Sequence, residues 1–338
     1  MPENVKTEVS LEEEKEKVTP AAFLKDHITD ITSYLGLVIV LILFFASNGD
    51  RLMYNLSSVI QSAAVYSVIA LGAVFVYSMG FMDISVGQQV GVYVILMILI
   101  NNKIGGMPGL IVGFLVVLAL AMFCGFLNGT VGVLLGLPSV VTSLFLMFFF
   151  TGAQVLLMEG TGENTIYVRD VTLKPADRDM YSLMLVAIIV VVLLVATYFF
   201  KFTKLGKYTR AIGANETTAK QSGVNTIKWR VAGYMALGVC VALGSFVLLT
   251  RTGSAGKGTG TGYAMDIMIC LILGGMPLKG GMKSKISSAL IGAFTYTLLS
   301  SVLTTMGVEL QMINFVKALI FLVIVLVTCR KKDGVLPR

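Results

Sequence analysis

The chain has 338 residues, 56% of them hydrophobic and only 13% charged, with a formal net charge of +7. A soluble domain carries about twice that share of charge, and several apolar runs reach the roughly 20 residues that a helix needs to cross a bilayer. The composition excludes a soluble domain, the long uninterrupted runs exclude a β-barrel, and the basic residues cluster at the ends of apolar runs, so they are not the footprint of a nucleic-acid partner. The chain reads as an all-α polytopic membrane protein.

In chain order, residues 1–30 are polar and acidic, with a Glu-rich patch from Glu12 to Glu16, and read as a cytoplasmic tail, with or without a short interfacial helix. About thirty polar residues before the first apolar run is not the layout of a cleaved signal peptide. Ten spans are predicted within 31–328, at 31–46, 56–78, 86–100, 109–127, 131–158, 182–200, 231–250, 264–276, 286–304 and 313–328; residues 329–338 form a second tail. Ten spans put both termini on one side. Three basic clusters fall on that same side: Lys201 to Arg230, the turn with Lys279, Lys283 and Lys285, and the tail from Arg330 to Lys332. By the positive-inside rule that side is cytoplasmic, in a cell membrane, and the near-neutral segment 159–179 lies outside.

Two of the ten predicted spans are short, 86–100 and 264–276, and each adjoins a glycine-rich break. One break runs Gly80-Phe81-Met82-Asp83-Ile84-Ser85-Val86-Gly87; the other is Gly274-Gly275-Met276-Pro277-Leu278-Lys279-Gly280-Gly281. Interrupted segments at corresponding places in two halves point to discontinuous helices beside a transport pathway, and to an internal repeat. Tight turns between spans explain the same residues equally well. Asp83 carries a similar pair of readings. An ionisable residue inside a membrane is a functional candidate, while Asp83 with Ser85 also suits the cap of the helix that follows.

Segment 201–230 is a polar loop between apolar runs. Within it Asn215 is a good N-cap, Glu216 sits in the first turn where the helix dipole favours an acid, Lys220 follows four residues later and Gly223 suits a left-handed stop. These predict a helix of about two turns over 216–222, roughly 10 Å long, too short to be stable alone. It makes sense when a partner surface receives it, with Ala219 and Gly223 forming a small face for close approach; the plainer reading is a solvated connector.

With those residues in place, the segment resembles the coupling region of permeases of ATP-binding-cassette importers, in the branch that serves ribose and other monosaccharides. The coupling pattern is matched by Gly206, Ala211, Gly213, Asn215, Ala219, Gly223 and Val224. The Gly-x-Asp-Leu-Ser-Val-Gly signature is matched from Gly80 to Gly87, with Ile84 for leucine. An Asn-Gly followed by a Pro-x-x-x-Thr pattern is matched by Asn128, Gly129, Pro138 and Thr142, and the Gly-Gly turn by Gly274, Gly275, Gly280 and Gly281. The chain departs from the pattern at Met282 to Ser284 after that turn, at Ala264 where an acid is common (with Asp266 nearby), and at Gln88 and Gln89 where small residues are common. These departures bear on the solute more than on the class.

The resemblance implies a permease that transports a monosaccharide or related small polar solute. Its partners would be a cytoplasmic ATPase that holds ATP and magnesium, an extracytoplasmic solute-binding protein, a second copy or sister permease, and the lipid bilayer around the spans. Gly206, Gly213, Asn215, Glu216, Ala219 and Gly223 would then meet the ATPase; Gly80, Gly87, Gly274, Gly275, Gly280 and Gly281 would be hinges or turns. A pathway for an uncharged solute needs hydrogen-bonding and aromatic side chains. Asp83, Ser85, Gln88, Asn128 and Thr142 are the leading candidates, with Gln61, Tyr66, Gln89, Gln154 and Tyr296 also on spans; any one of them could instead tie helices together. Lys317, in the last run, either snorkels outward or lines the pathway.

The remaining chemistry is sparse. Cys124, Cys240, Cys270 and Cys329 have no metal-ligand spacing, and His27 is the only histidine. No Gly-x-x-x-x-Gly-Lys-Ser/Thr occurs, and Gly253 to Gly260 imitates one without its spacing, on the outer side where a binding protein would arrive. No catalytic, metal or cofactor site is therefore expected on this chain. The rival reading is an ion-coupled secondary transporter, which calls for membrane-buried carboxylates or histidines, and the chain has few.

Overall fold

The computed structural model describes residues 20–48, 52–169 and 178–309, and a few positions between 312 and 322. The acidic tail 1–19, the C-terminal tail, Lys317 and most of the last predicted span lie outside the described residues.

Eleven helices are resolved among the described residues: α1 (Pro20–Asn48), α2 (Leu52–Tyr77), α3 (Val86–Ile104), α4 (Gly106–Leu134), α5 (Ser139–Thr161), α6 (Arg178–Phe202), α7 (Lys204–Ala214), α8 (Glu216–Gln221), α9 (Thr226–Thr252), α10 (Tyr263–Leu273) and α11 (Ser287–Thr305). Two three-residue strands, β1 (Thr165–Tyr167) and β2 (Ser254–Gly256), pair antiparallel with Ile166 opposite Ala255, and so fasten the α5–α6 connection to the α9–α10 connection. The all-α expectation holds apart from this clip.

Six helices among the described residues are long and apolar enough to cross a membrane: α2, α4, α5, α6, α9 and α11. The ten expected spans are thus not all present as membrane-length helices. Span 131–158 is in fact two elements. Gly136 takes φ 62° and Pro138 precedes the new helix, so α4 stops at Leu134 and α5 starts at Ser139. Span 86–100 is not short: α3 continues through Asn101 and Asn102, whose side chains bond the backbone of Tyr167 and Arg169 instead of facing lipid. Polar residues ended the apolar run without ending the helix. Span 264–276 is short as expected. Its helix α10 has 11 residues, about 16 Å against the ~30 Å hydrocarbon core. The first helix begins at Pro20, within the stretch read as tail.

Burial sorts the spans into an inner and an outer set. The membrane window of α2 is 78% buried and that of α9 56%, whereas α5 and α6 are at 22%. The inner pair has small residues where it meets its neighbours. A side chain at Gly125 would strike the backbone of Tyr234, one at Gly238 the backbone of Ala121, so α4 and α9 lie in close contact along their lengths. Close backbone approach of this kind holds helices together in lipid, where the hydrophobic effect gives no preference for contact with another helix over contact with lipid tails. The exposed leucines, valines and phenylalanines of α4, α5 and α6 face outward, the pattern of a lipid-facing surface.

Candidate functional site

The polar segment 201–230 is structured throughout. After α6 ends, α7 lies along the bundle with Thr209 and Ile212 turned in; the sequence reading missed this helix, although its apolar residues Leu205 and Ile212 sit a helical repeat apart. Asn215 separates α7 from α8 in extended conformation, and its Oδ1 accepts from the Thr218 N–H at 3.0 Å. Glu216 and Lys220 pair at 2.9 Å on the exposed side. At the far end Gly223 takes φ 79°, Val224 N–H reaches Ala219 O and Gly223 N–H reaches Lys220 O, both at 3.0 Å. This pair of bonds is the Schellman arrangement that satisfies the last carbonyls of a helix. A six-residue helix stands because both ends are closed. Of the small face read from sequence, Gly223 is exposed, while Ala219 is buried, only 5% exposed, and Glu216, Thr217, Thr218, Lys220 and Gln221 face solvent. Its methyl is the one apolar contact so short a helix has to offer the bundle.

Beneath α7 the structure joins motifs that are distant in sequence. Gly281 N–H donates to the Ser78 carbonyl at 2.8 Å. A side chain at Gly213 would collide with that same Ser78 carbonyl, one at Gly80 with the Lys279 carbonyl, and one at Gly280 with Ser78 and Gly80 backbone. Gly80, Gly280 and Gly281 all take positive φ. The end of α7, the break after α2 and the turn after α10 therefore meet around one carbonyl oxygen with no side chain between them. Gly206 makes a similar backbone approach to Phe200 at the end of α6. The other glycines of the two breaks are placed elsewhere. Gly87 packs on the loop at Gly260, Gly274 against Ser288 on α11, and Gly275 turns the chain with φ 84°.

The leading polar candidates form a chain of buried hydrogen bonds behind this junction. Asp83 Oδ1 accepts from the Ser85 N–H and hydroxyl at 2.9 and 2.5 Å, and its Oδ2 accepts from Asn128 Nδ2 at 2.8 Å. Gln89 donates to Ser85 Oγ and Tyr93 donates to Gln89. Ser85, not Asp83, is the N-cap of α3, and its side chain makes no cap bond; Asp83 instead closes the turn before the helix and ties it to α4. Thr142 is buried with its hydroxyl on the Ser139 carbonyl, and Gln88 is half-buried. Gln154 secures the outer loop, donating to Gly256 and Thr259 carbonyls.

The open polar surface lies elsewhere, between the N-terminal half of α2 and the C-terminal half of α11. A cleft of about 350 Å3 there is lined by Asn55, Ser62 and Tyr66, by Arg251 at the end of α9, and by Tyr296 and Ser300. Tyr66 stacks on Tyr263 at 5.1 Å, meets Tyr296 edge-on at 5.1 Å, and donates to Asp266 at 3.1 Å. Tyr66 and Tyr296 were among the sequence candidates, whereas Asn55, Ser62, Arg251 and Ser300 were not. The signal was present as a stripe of polar side chains at helical spacing, Asn55-Ser58-Ser62-Tyr66 on α2 and Thr297-Ser300-Ser301-Thr304 on α11. Such a surface offers hydrogen bonds and aromatic faces to a small polar solute.

Comparison with known proteins accords with this arrangement. Residues 55–328 match the family described as branched-chain amino acid transport system, permease component. The ribose import permease protein RbsC of Escherichia coli K12 is 29% identical over 88% of this chain and 92% of its own length, and that of Haemophilus influenzae is 27% identical over 87% and 91%. The autoinducer 2 import system permease protein LsrC of Salmonella typhi is 29% identical over 87% and 83%. No solved structure matches. With most of its length covered by the family and membrane-type helices running through that length, the chain is a multi-pass membrane protein belonging to the branched-chain amino acid transport system permease family.

Proposed function

We propose that this chain is the membrane-spanning subunit of an ATP-binding-cassette importer for a monosaccharide or related small polar solute. The observation that carries the proposal is α8, a doubly capped helix with an exposed polar face, seated through α7 on the glycine junction at Ser78. A partner ATPase gripping α8 would move a rigid element whose other end touches both chain breaks at once. The chain itself would do no catalysis and hold no cofactor; ATP and magnesium would stay on the ATPase. The cleft at Tyr66 and Tyr296 would be the outer end of the pathway, filled from a solute-binding protein, and a second copy or sister permease would complete its wall. Both termini would be cytoplasmic and β1 and β2 external. The relatives named for ribose and autoinducer 2 import support a sugar or sugar-like solute.

The reading is tested in vesicles containing this chain with its ATPase and binding protein, measuring uptake across a panel of pentoses, hexoses and polyols. Uptake requires hydrolysable ATP in the expected outcome. Uptake by this chain alone, driven by an ion gradient, would overturn it in favour of the secondary-transporter reading.

A further inference from the structure

Arg230, near the start of α9, is held in surroundings that its own chemistry disfavours. Its Nε and Nη2 are shielded from water and meet no acceptor among the described residues. On one side its guanidinium carbon sits 4.3 Å from the centre of the Phe81 ring, within the range of cation–π attraction. On the other, Nη2 packs on α4 at Gly132, where an added methyl carbon would lie 2.6 Å from it. The guanidinium is thus a wedge between three elements: α9, α4 and the break after α2. Charged donors held out of water without an acceptor are costly, and an apolar side chain of similar size would fill the same space with less penalty. Departures of this kind from ordinary packing rules are characteristic of functional positions.

The place of the wedge indicates which function. Phe81 directly follows Gly80, and Gly80 and Ser78 belong to the glycine junction that supports α7 and α8. Helix α9 has 27 residues, about 40 Å of length, and Arg251 in its last turn lines the cleft. One buried helix therefore has an arginine on the first break at one end and an arginine in the cleft at the other. We propose that Arg230 is a positioning residue for transport: its stack on Phe81 makes α9 follow the first break when α8 is displaced, so that Arg251 moves and the cleft changes shape. A ring can slide over a guanidinium and stay attracted to it, whereas the hydrogen bonds of a paired carboxylate fix both distance and angle. The contact therefore suits a joint that must hold through a change of state. The inference rests on the importer reading and adds to it a route from the ATPase end to the solute end.

The test uses the full chain assembled with its ATPase and binding protein in vesicles, with solute uptake, ATP hydrolysis and retention of the ATPase measured side by side. Arg230→Gln lowers uptake at least tenfold while hydrolysis and retention persist. Phe81→Leu removes the ring from the other side of the contact and gives the same loss, and the double variant loses no more than either single one, since proximity alone does not establish coupling. Arg230→Lys keeps the cation and Phe81→Tyr keeps the ring, and both lose less. A reporter reads the cleft directly: Thr304→Cys, exposed on its rim, in a background lacking the native cysteines. Its rate of labelling by a maleimide changes at least fivefold when nucleotide is trapped on the ATPase, and stays constant when Arg230→Gln is added. Losses from Arg230→Gln and Phe81→Leu that multiply in the double variant would overturn the coupling. So would a nucleotide response at Thr304→Cys that survives Arg230→Gln, or one that is absent with Arg230 in place. ATP-driven uptake with that response unaltered by Arg230→Gln counts against the role of Arg230 alone, whereas uptake that needs no ATPase counts against the importer reading.

Discussion

Gly213 and Asn215 lie two positions apart and support α8 in different ways. Gly213 has no side chain because the Ser78 carbonyl and the Gly281 N–H occupy that space. Gly213→Val forces α7 away from the junction; overpacking of this kind typically costs about 1–3 kcal/mol, and here the strain falls on the contact between the coupling segment and both breaks. ATPase activity measured in the assembled complex is expected to persist while solute uptake falls at least tenfold; unchanged uptake would show that the junction transmits nothing. Asn215→Ala removes the acceptor of the Thr218 N–H, a loss of about 1 kcal/mol for an N-cap. For a helix of six residues that loss is decisive, so the expected effect is weaker retention of the ATPase in pull-down, with the fold of the spans unchanged by circular dichroism. Asn215→Asp keeps the acceptor and is expected to keep the partner. These local features were legible from sequence because capping and turn chemistry act within a few residues. That Ala219 turns inward was not legible, because which face of a short helix is buried depends on what it lies against.

Among the elements, α2 and α11 carry the hydroxyl and aromatic residues that make the outer cleft, while α10 supplies Tyr263 and Asp266 behind Tyr66. Tyr66→Ala opens that cluster and removes a stacking face. Uptake in ATP-driven vesicles is expected to drop at least tenfold with the complex still assembled, whereas Tyr66→Phe, which loses the hydroxyl and its bond to Asp266 but keeps the ring, is expected to lose far less. Equal loss in both variants would show that the hydroxyl bond matters and the aromatic face does not. The stripe was written in the sequence at helical spacing, but its residues are ordinary serines and threonines, common as helix-to-helix ties. Asp83 shows the converse. It stood out as a charge in a membrane run, and the structure places both its oxygens against donors on neighbouring elements. The conspicuous Asp83 is hydrogen-bonded to Ser85 and Asn128, while ordinary serines and threonines line the open cleft.

Among the described residues, α2, α3 and α9 form the buried centre; α4 packs on α3 and α9, α5 on α3 and α4, and α6 on α2, with apolar faces outward. In the proposed orientation, α7, α8 and the Gly280–Gly281 turn share the cytoplasmic end while β1, β2 and the cleft share the other. Single cysteines introduced at Thr217 and Tyr167, both exposed, in a background lacking the native cysteines, test this directly. An impermeant maleimide added to intact cells is expected to label the Tyr167 position and spare the Thr217 position. The opposite pattern would put α8 on the wrong side for an ATPase and sink the importer reading.

What the sequence determined alone is the membrane class, the general run of the spans and the cap chemistry of α8, because hydrophobicity, charge at span ends and capping are local properties. What only the tertiary structure decided is contact between distant segments: the meeting of Gly80, Gly213 and Gly281 at one carbonyl, the knitting of Asp83 to Asn128, and the unsatisfied guanidinium of Arg230. Each depends on backbone approach or on the presence of an acceptor from another helix. Those are set by how the helices cross, which no local pattern of residues specifies.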